Sequence, residues 1–276
     1  MQTTKACIQR ILKRAGLYYR LKASSVYTFY WWFSDRSMVE RGHRELNFYR
    51  ELLCGFCKGA LIFDIGANQG TKTAVFLTLG ANVVAVEPDV TNQNVLKQKF
   101  LTYRLARRPV VIVGKAVSDK ESVETMWIDE AGSAKNTLSS KWVETLRTDE
   151  ERFGHSLTFA QQAKVETVTL KQLVNEHGDP FFIKVDVEGS ELSVLRGLHR
   201  PVPYLSFEVN LPEFLQEGLK CVQLLGSMAA DGMFNYVVDC QQGLELQEWV
   251  GPREFSALLP HCPDRSIEVF WKTIPD

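Results

Sequence analysis

Leu61-Ile62-Phe63-Asp64-Ile65-Gly66-Ala67-Asn68-Gln69-Gly70 and, a helix-length further on, Val83-Val84-Ala85-Val86-Glu87-Pro88 are the two stretches that decide how this chain is read. Each is an apolar run that meets a carboxylate. A doubly wound α/β sheet builds a nucleoside pocket in this way: the first strand-to-helix loop passes close to the ligand, and an acid at the end of the second strand reaches ribose hydroxyls. The pattern predicts strands at 61–65 and 83–87 with a helix near 71–79 between them.

Outward from there the alternation continues. A helix is expected near 91–103 and a strand over 110–117, apolar on both faces as fully buried parallel strands are. Phe181 to Gly189 restarts the rhythm after a break, followed by a helix near 190–197, a strand at 204–210, a helix near 213–230 and strands near 233–239 and 267–273. Alternating elements imply parallel strands joined by right-handed crossovers. The last two strands, with no long helix between them, predict an antiparallel C-terminal hairpin. The fold class is therefore α/β, a Rossmann-like, mostly parallel seven-stranded sheet.

Two regions stand outside this rhythm. Residues 118–180 carry short alternating strands at 121–128 and 164–169 around a polar stretch, and read as an insertion that covers the site or lies in solvent. Residues 1–60 read as a helical N-terminal extension to a domain at 61–276. Within the extension, Ile8, Ile11, Leu12, Ala15 and Leu17 recur at near-helical spacing, and Tyr27 to Phe33 form an aromatic cluster suited to covering a pocket, to holding an acceptor or to peripheral contact with a membrane surface.

Bulk properties exclude more than they assign. The chain has 276 residues, 45% hydrophobic and 24% charged, with a formal net charge of -1, so no global field draws it to nucleic acid. No apolar run is long enough to span a bilayer, and the start Met1-Gln2-Thr3-Thr4-Lys5 lacks the apolar core of a signal peptide, so a soluble cytoplasmic protein is expected. The six cysteines are scattered as reduced thiols are. Cys54-Gly55-Phe56-Cys57 ends a helical stretch rather than opening one after a strand, and reads as ordinary buried thiols.

Three ligands compete for the first loop. A dinucleotide loop wants a second glycine where Asn68 stands. A phosphate loop comes nearer, since Gly66, Lys72 and Thr73 fall at its spacing. That makes an NTP-dependent phosphoryl or sulfuryl transferase using Lys72 and Thr73 the alternative, although Thr71 replaces the glycine that lets backbone wrap phosphate. S-adenosylmethionine carries a cationic sulfonium and no phosphate, and so suits Asp64 and Glu87.

On the reactive side, strand alternation puts Lys184, Asp186 and Glu188 on one face. A lysine inside a central strand needs a partner. Asp186 is the simplest base for a hydroxyl acceptor, Glu208 at the next strand's end is second, and Lys184 completes the catalytic set. No metal centre is singled out, although Asp186, Glu208 and Asn210 would supply hard oxygen ligands to a divalent cation at neighbouring strand ends.

Taken together, Phe63 to Gly70, Val86-Glu87-Pro88, Lys115 to Asp119, Val168-Thr169-Leu170 and Ile183-Lys184-Val185-Asp186-Val187-Glu188-Gly189-Ser190-Glu191 closely resemble the FkbM-type S-adenosylmethionine-dependent methyltransferases over about residues 60–210. The resemblance implies a class I methyltransferase fold and methyl transfer, usually to a hydroxyl oxygen of a small molecule or glycan. It implies that Asp64, Gly66, Asn68 and Gly70 form the methionine-side loop, that Glu87 holds the ribose, and that Pro88 and Asp89 shape the turn beside adenine. Ala116 and Ser118 would flank the adenine, and the block with Asp186 and Glu188 would close the pocket.

Overall fold

Each apolar run from residue 61 onward forms a strand, because β-branched and aromatic side chains pack well on a pleated surface buried on both sides. The computed structural model describes residues 36–105, 109–149, 152 and 157–273; the helical stretch expected at 8–17 and the aromatic cluster at 27–33 lie outside them. In chain order the elements are α1 (Arg36–Leu52), β1 (Leu61–Ile65), α2 (Thr71–Leu79), β2 (Asn82–Val86), α3 (Val90–Lys99), α4 (Leu101–Leu105), β3 (Val110–Val113) and β4 (Ala116–Val117). There follow β5 (Val123–Ile128), α5 (Ser140–Thr148), β6 (Gln161–Val168), α6 (Leu170–His177), β7 (Phe182–Val185) and α7 (Glu191–Arg196). The chain continues with β8 (Tyr204–Asn210), α8 (Leu215–Met228), β9 (Met233–Val237), α9 (Pro252–Leu258), a 3₁₀ turn (Leu259–His261) and β10 (Ser266–Lys272).

The main sheet has seven strands in the order β3-β2-β1-β7-β8-β10-β9. The first five pair in parallel, and β10 runs antiparallel to both β8 and β9. The last strand of the chain thus slots inside the sheet and leaves β9 at the edge. The run expected as one strand over 110–117 divides at Gly114-Lys115: β3 stays in the main sheet, whereas β4 turns away to pair with β6 in a second, three-stranded sheet, β4-β6-β5. Gly114 permits the turn to sit close, since the Gln93 side chain occupies the space a Cβ would need. The helix expected at 91–103 breaks at Phe100, whose ring is buried.

Within 118–180, the polar stretch between the short strands contains α5. Ser139 caps it by accepting the Trp142 N–H, and Trp142, Val143 and Leu146 are buried on one side of it. Cys54 and Cys57 are exposed, contrary to the expectation of buried thiols, because the turn after α1 carries them outside the core. Among the described residues no helix is long and apolar enough to cross a membrane.

The two faces of the main sheet differ, and that difference positions the site. Residues paired in register share a face. One face, with Phe63, Ile183, Leu205 and Val269, is apolar throughout and is covered by α6, α7, α8 and α9. The other begins apolar, with Ile62, Phe182, Tyr204 and Phe270 under α1 and α2. Toward the carboxyl ends of the parallel strands it turns polar: Asp64 and Ser206 are 0% exposed, Lys184 is 3% exposed, and Glu208, Asn210, Ser266 and Glu268 lie beyond them. Buried polar groups are costly unless paired, so a layer of them within a central sheet marks a place where chemistry overrides packing.

α1 seals the apolar part of that face. The Tyr49 ring is fully buried, edge-on to Phe76 at 5.1 Å and close to Phe182 at 5.9 Å. Truncating a buried aromatic typically costs ~3–5 kcal/mol, so Tyr49→Ala is expected to lower the unfolding free energy by about that much in urea titration, and Tyr49→Phe by about 1 kcal/mol or less.

Candidate active site

The site is built where β1 meets β7. The Asp186 N–H donates to the Ile65 carbonyl at 3.0 Å, and the two backbones approach so closely that a Cβ at Gly66 would lie 1.7 Å from the Asp186 carbonyl oxygen. Gly66 also holds φ +81°, a conformation an L side chain resists. The N–H groups of Gly66 and Ala67 both donate to Val86, which pins the loop to the end of β2. Asn68 adopts a left-handed conformation, and its N–H donates to Glu87 Oε2 at 2.7 Å; the other carboxylate oxygen accepts the Asp89 N–H at 2.8 Å. Burial pushes the Glu87 carboxyl up to about 7, against the pull of these two backbone donors.

A cavity opens against this loop. Gly66, Asn68, Glu87, Pro88, Ala116, Asp186 and Glu188, all expected at the site, line it. Four other expected residues support it from outside. Asp64 lies beneath, accepting the Thr73 hydroxyl at 2.5 Å, and burial raises its carboxyl. Gly70 begins α2 and packs against Leu96 and Phe100. Asp89 caps α3 through the Thr91 N–H at 2.6 Å and tethers the insertion by accepting from Gly132 N–H at 3.0 Å and Asn136 Nδ2 at 2.8 Å. Ser118 bonds Glu124 at 3.0 Å and Ser193 at 3.1 Å.

Asn92, Met126, Asn136 and Leu138 also line the cavity, and sequence reading did not single them out. Asn92 had a signal, one turn into a helix that starts straight after the second acid. Met126, Asn136 and Leu138 arrive from the insertion, which the sequence marks as a cover without marking these residues within it. Lys72 and Thr73, the phosphate-loop candidates, face elsewhere: Lys72 is bonded to Glu45 and lies 3.6 Å from Cys240 Sγ, and Thr73 is bonded to Asp64.

On the other side of Asp186 stand three carboxylates. Asp186, Glu188 and Glu208 each place an oxygen within 4.8 Å of the others. Lys184 Nζ donates to Asp186 Oδ2 at 2.8 Å. Strand alternation was expected to align Glu188 with this pair, but β7 ends at Val185, and Glu188 reaches them through a left-handed turn with φ +56° at Glu188 and +93° at Gly189. A Cβ at Gly189 would strike the Phe214 ring at 2.7 Å. Glu191, in the first turn of α7, braces this turn by accepting the N–H groups of Val187 and Gly189, both at 3.2 Å. From the insertion, Trp142 Nε1 donates to Glu188 Oε2 at 2.9 Å.

Burial and then the like charges of Glu208 and Asp186 push the Glu188 carboxyl well up, and burial with the Asp186 charge takes Glu208 to about 7. Asn210, expected beside Asp186 and Glu208 as a metal ligand, instead accepts from Arg152 Nη2 at 3.1 Å and donates to Glu208 at 3.1 Å. The group with ligand spacing is Asp186, Glu188 and Glu208. Each of the three is a shared wall: Asp186 between the cofactor-loop cavity and a second one toward α1, Glu188 between the first and a third toward Arg152, and Glu208 between the second and third.

The methyltransferase FkbM domain matches residues 64–227. The chain belongs to the FkbM methyltransferase family. Solved structures similar to this FkbM-family fold include the precorrin-6y C5,15-methyltransferase of Geobacter metallireducens, at 9% identity over 85% of this chain and 89% of that one with a TM-score of 0.41. A TehB-like SAM-dependent methyltransferase of Corynebacterium glutamicum is similar at 11% identity, over 84% and 88%, with a TM-score of 0.40. The METTL16 methyltransferase domain is similar at 10% identity, over 83% and 66%, with a TM-score of 0.43. No curated protein sequence matches the chain.

The FkbM family is one of S-adenosylmethionine-dependent methyltransferases, and the chemistry of the cavity's lining suits that cofactor. Asn68 Oδ1 and Asn92 Oδ1 are buried in its wall without a hydrogen-bond partner among the described residues, so the cavity asks for a ligand with several N–H or O–H donors. The Glu87 oxygens accept the N–H groups of Asn68 and Asp89 and a bond from the Asn92 side chain, which leaves lone-pair capacity for a ribose hydroxyl. Lys115, the lysine in the lining, is already paired with Glu166 at 3.0 Å, which suits a ligand without phosphates.

The raised Glu87 carboxyl carries a stability signature. Between the ordinary carboxylate value of 4.5 and about 7 the folded state keeps a proton that the unfolded state has released, so stability falls as pH rises through that window. Between pH 5 and pH 8 the cofactor-free protein is expected to lose up to ~3 kcal/mol more than Glu87→Gln does, measured by denaturant titration at each pH.

Proposed function

We propose that this methyltransferase methylates a hydroxyl oxygen on a small molecule or glycan. The observation that carries the reading is the position of Asp186, a carboxylate in the wall between the cofactor cavity and the second cavity, held in place by buried Lys184 at 2.8 Å. S-adenosylmethionine, when bound, supplies a methyl group already activated on a sulfonium. The protein's part is then to hold the acceptor oxygen in line and to take its proton as the oxygen becomes a nucleophile.

Asp186 is suited to receive that proton. Lys184 fixes its orientation, and the Asp186 and Asp64 charges beside Lys184 keep the lysine protonated against its burial. Glu208 places an oxygen within 4.8 Å of Asp186 and borders the same space. Gly66, Asn68, Glu87, Pro88, Ala116 and Glu188 would hold the cofactor, with Asp64, Gly70, Asp89 and Ser118 fixing the walls behind them. Residues 118–180 act as the cover in this reading, because Met126 and Leu138 wall the cofactor cavity and Trp142 grips Glu188.

Calorimetric titration of the chain with S-adenosylmethionine tests the cofactor half: binding is expected for wild type and at least about tenfold weaker for Glu87→Ala, and absence of heat with wild type would sink the reading. With labelled cofactor and a panel of hydroxyl acceptors, Asp186→Asn is expected to lower kcat by ~10²–10⁴ while cofactor affinity stays within about threefold of wild type. An unchanged kcat would remove Asp186 from the proposed role.

A further inference from the structure

The second cavity, about 400 Å³, falls within the ~300–1,000 Å³ of small-molecule pockets and adjoins the cofactor cavity at Asp186. Its floor is the polar half of the sheet, and its far wall comes from Glu45 of α1 and Lys72 of α2. There Glu208 and Glu268 stand directly opposite each other on β8 and β10. Like charges so placed repel, and a fold has no structural use for the pair.

Neutral donors hold these two glutamates in a crossed arrangement. Ser266 Oγ donates to Glu208 and Ser206 Oγ to Glu268, each at 2.7 Å, so each acid is gripped by a serine of the opposite strand. The remaining oxygens accept from Asn210 Nδ2 at 3.1 Å and from the Cys240 thiol at 3.4 Å, a thiol that burial and the Glu268 charge push up to about 12. Such donors fix a carboxylate without neutralising it. The cavity's two lysines make their ion pairs elsewhere, Lys72 with Glu45 and Lys184 with Asp186, and reach the two glutamates only as nearby charges, Lys72 on Glu268 and Lys184 on Glu208. Of five carboxylates lining the cavity, Glu208, Asp239 and Glu268 have no Lys, Arg or His within ion-pair distance among the described residues.

Resting on the reading of the chain as a hydroxyl methyltransferase, we infer that the second cavity binds the acceptor by a protonated amine held between Glu208 and Glu268, so that the substrate class is an amino-bearing polyol and anionic acceptors are refused. An ammonium offers three donors at ordinary hydrogen-bond distances, which suits carboxylate oxygens that already accept one bond each. Paired with carboxylates it keeps its proton and is no nucleophile. The charged handle is thereby separated from the hydroxyl that Asp186 faces. Glu45, Asp239, Cys240 and Glu268 all lie outside the residues matched by the FkbM domain.

The test is calorimetry on the full chain saturated with S-adenosylhomocysteine, with glucosamine, glucose, glucose phosphate and magnesium chloride as probes. Glucosamine is expected to bind about tenfold tighter than glucose, and glucose phosphate weaker than either. In Glu268→Gln the preference for glucosamine is expected to vanish, with the melting temperature and the affinity for S-adenosylhomocysteine unchanged; should that variant fail to fold, Asp239→Asn is expected to cut the preference about threefold. Equal binding of glucosamine and glucose, tightest binding of the phosphate, no binding of any sugar, or a preference that survives the substitution overturns the inference. Magnesium binding that disappears in Glu268→Gln also overturns it, in favour of a metal site. Failure of S-adenosylhomocysteine itself to bind would fell the methyltransferase reading instead, and the two failures are read from separate titrations.

Discussion

The contact between Gly66 and Asp186 is the constraint from which the site follows. Two parallel strands end side by side, and their backbones close to a distance that no side chain at Gly66 could share. One peptide group from each strand then bonds across the gap, and the loop that follows has to bend toward β2, where Val86 and Glu87 receive it. The same closure points the Asp186 side chain at whatever the loop holds. In the proposed function, cofactor recognition and proton acceptance are thus set by a single backbone approach.

Electrostatically the site departs from the rule that buried acids are matched by cations. Glu87, Glu188, Glu191 and Glu208 are all raised by burial, and their partners are mainly backbone N–H groups, hydroxyls, an indole and an amide. Such partners orient an acid but leave its charge to be settled by a ligand or a proton. Glu87 and Glu208, both raised to about 7, can change protonation state near neutral pH.

Much of this was legible in the sequence, and the limits have physical reasons. The sheet could be read because each strand carries its own local signal, and Asp64, Glu87 and Asp186 because strand ends are fixed by that signal. The break at Gly114 was hidden, since an apolar run looks the same whether it stays in one sheet or changes to another. Glu188 was placed correctly beside Asp186 for the wrong reason: alternation suggested it, but a left-handed turn, visible in the Glu-Gly pair, delivers it. The insertion could be read as a cover, but not which of its residues meet the site, because Asn136, Leu138 and Trp142 are brought there by long-range packing around Trp142 and Phe214 at 5.4 Å. The grouping of Glu208 with Glu268 needed the strand order, in which the last strand inserts next to β8.

The polar half of the sheet is roofed from α1 as well as α2, through Glu45 and its bond to Lys72. Phe48, Tyr49, Leu52 and Leu53 of the same stretch are buried in the core below it. A boundary drawn at residue 60, where the repeating strands begin, would therefore run through the wall of a binding chamber. In the proposed function, a shortened chain starting there would keep the loop that grips a nucleoside and lose one side of the room in which the second reactant stands.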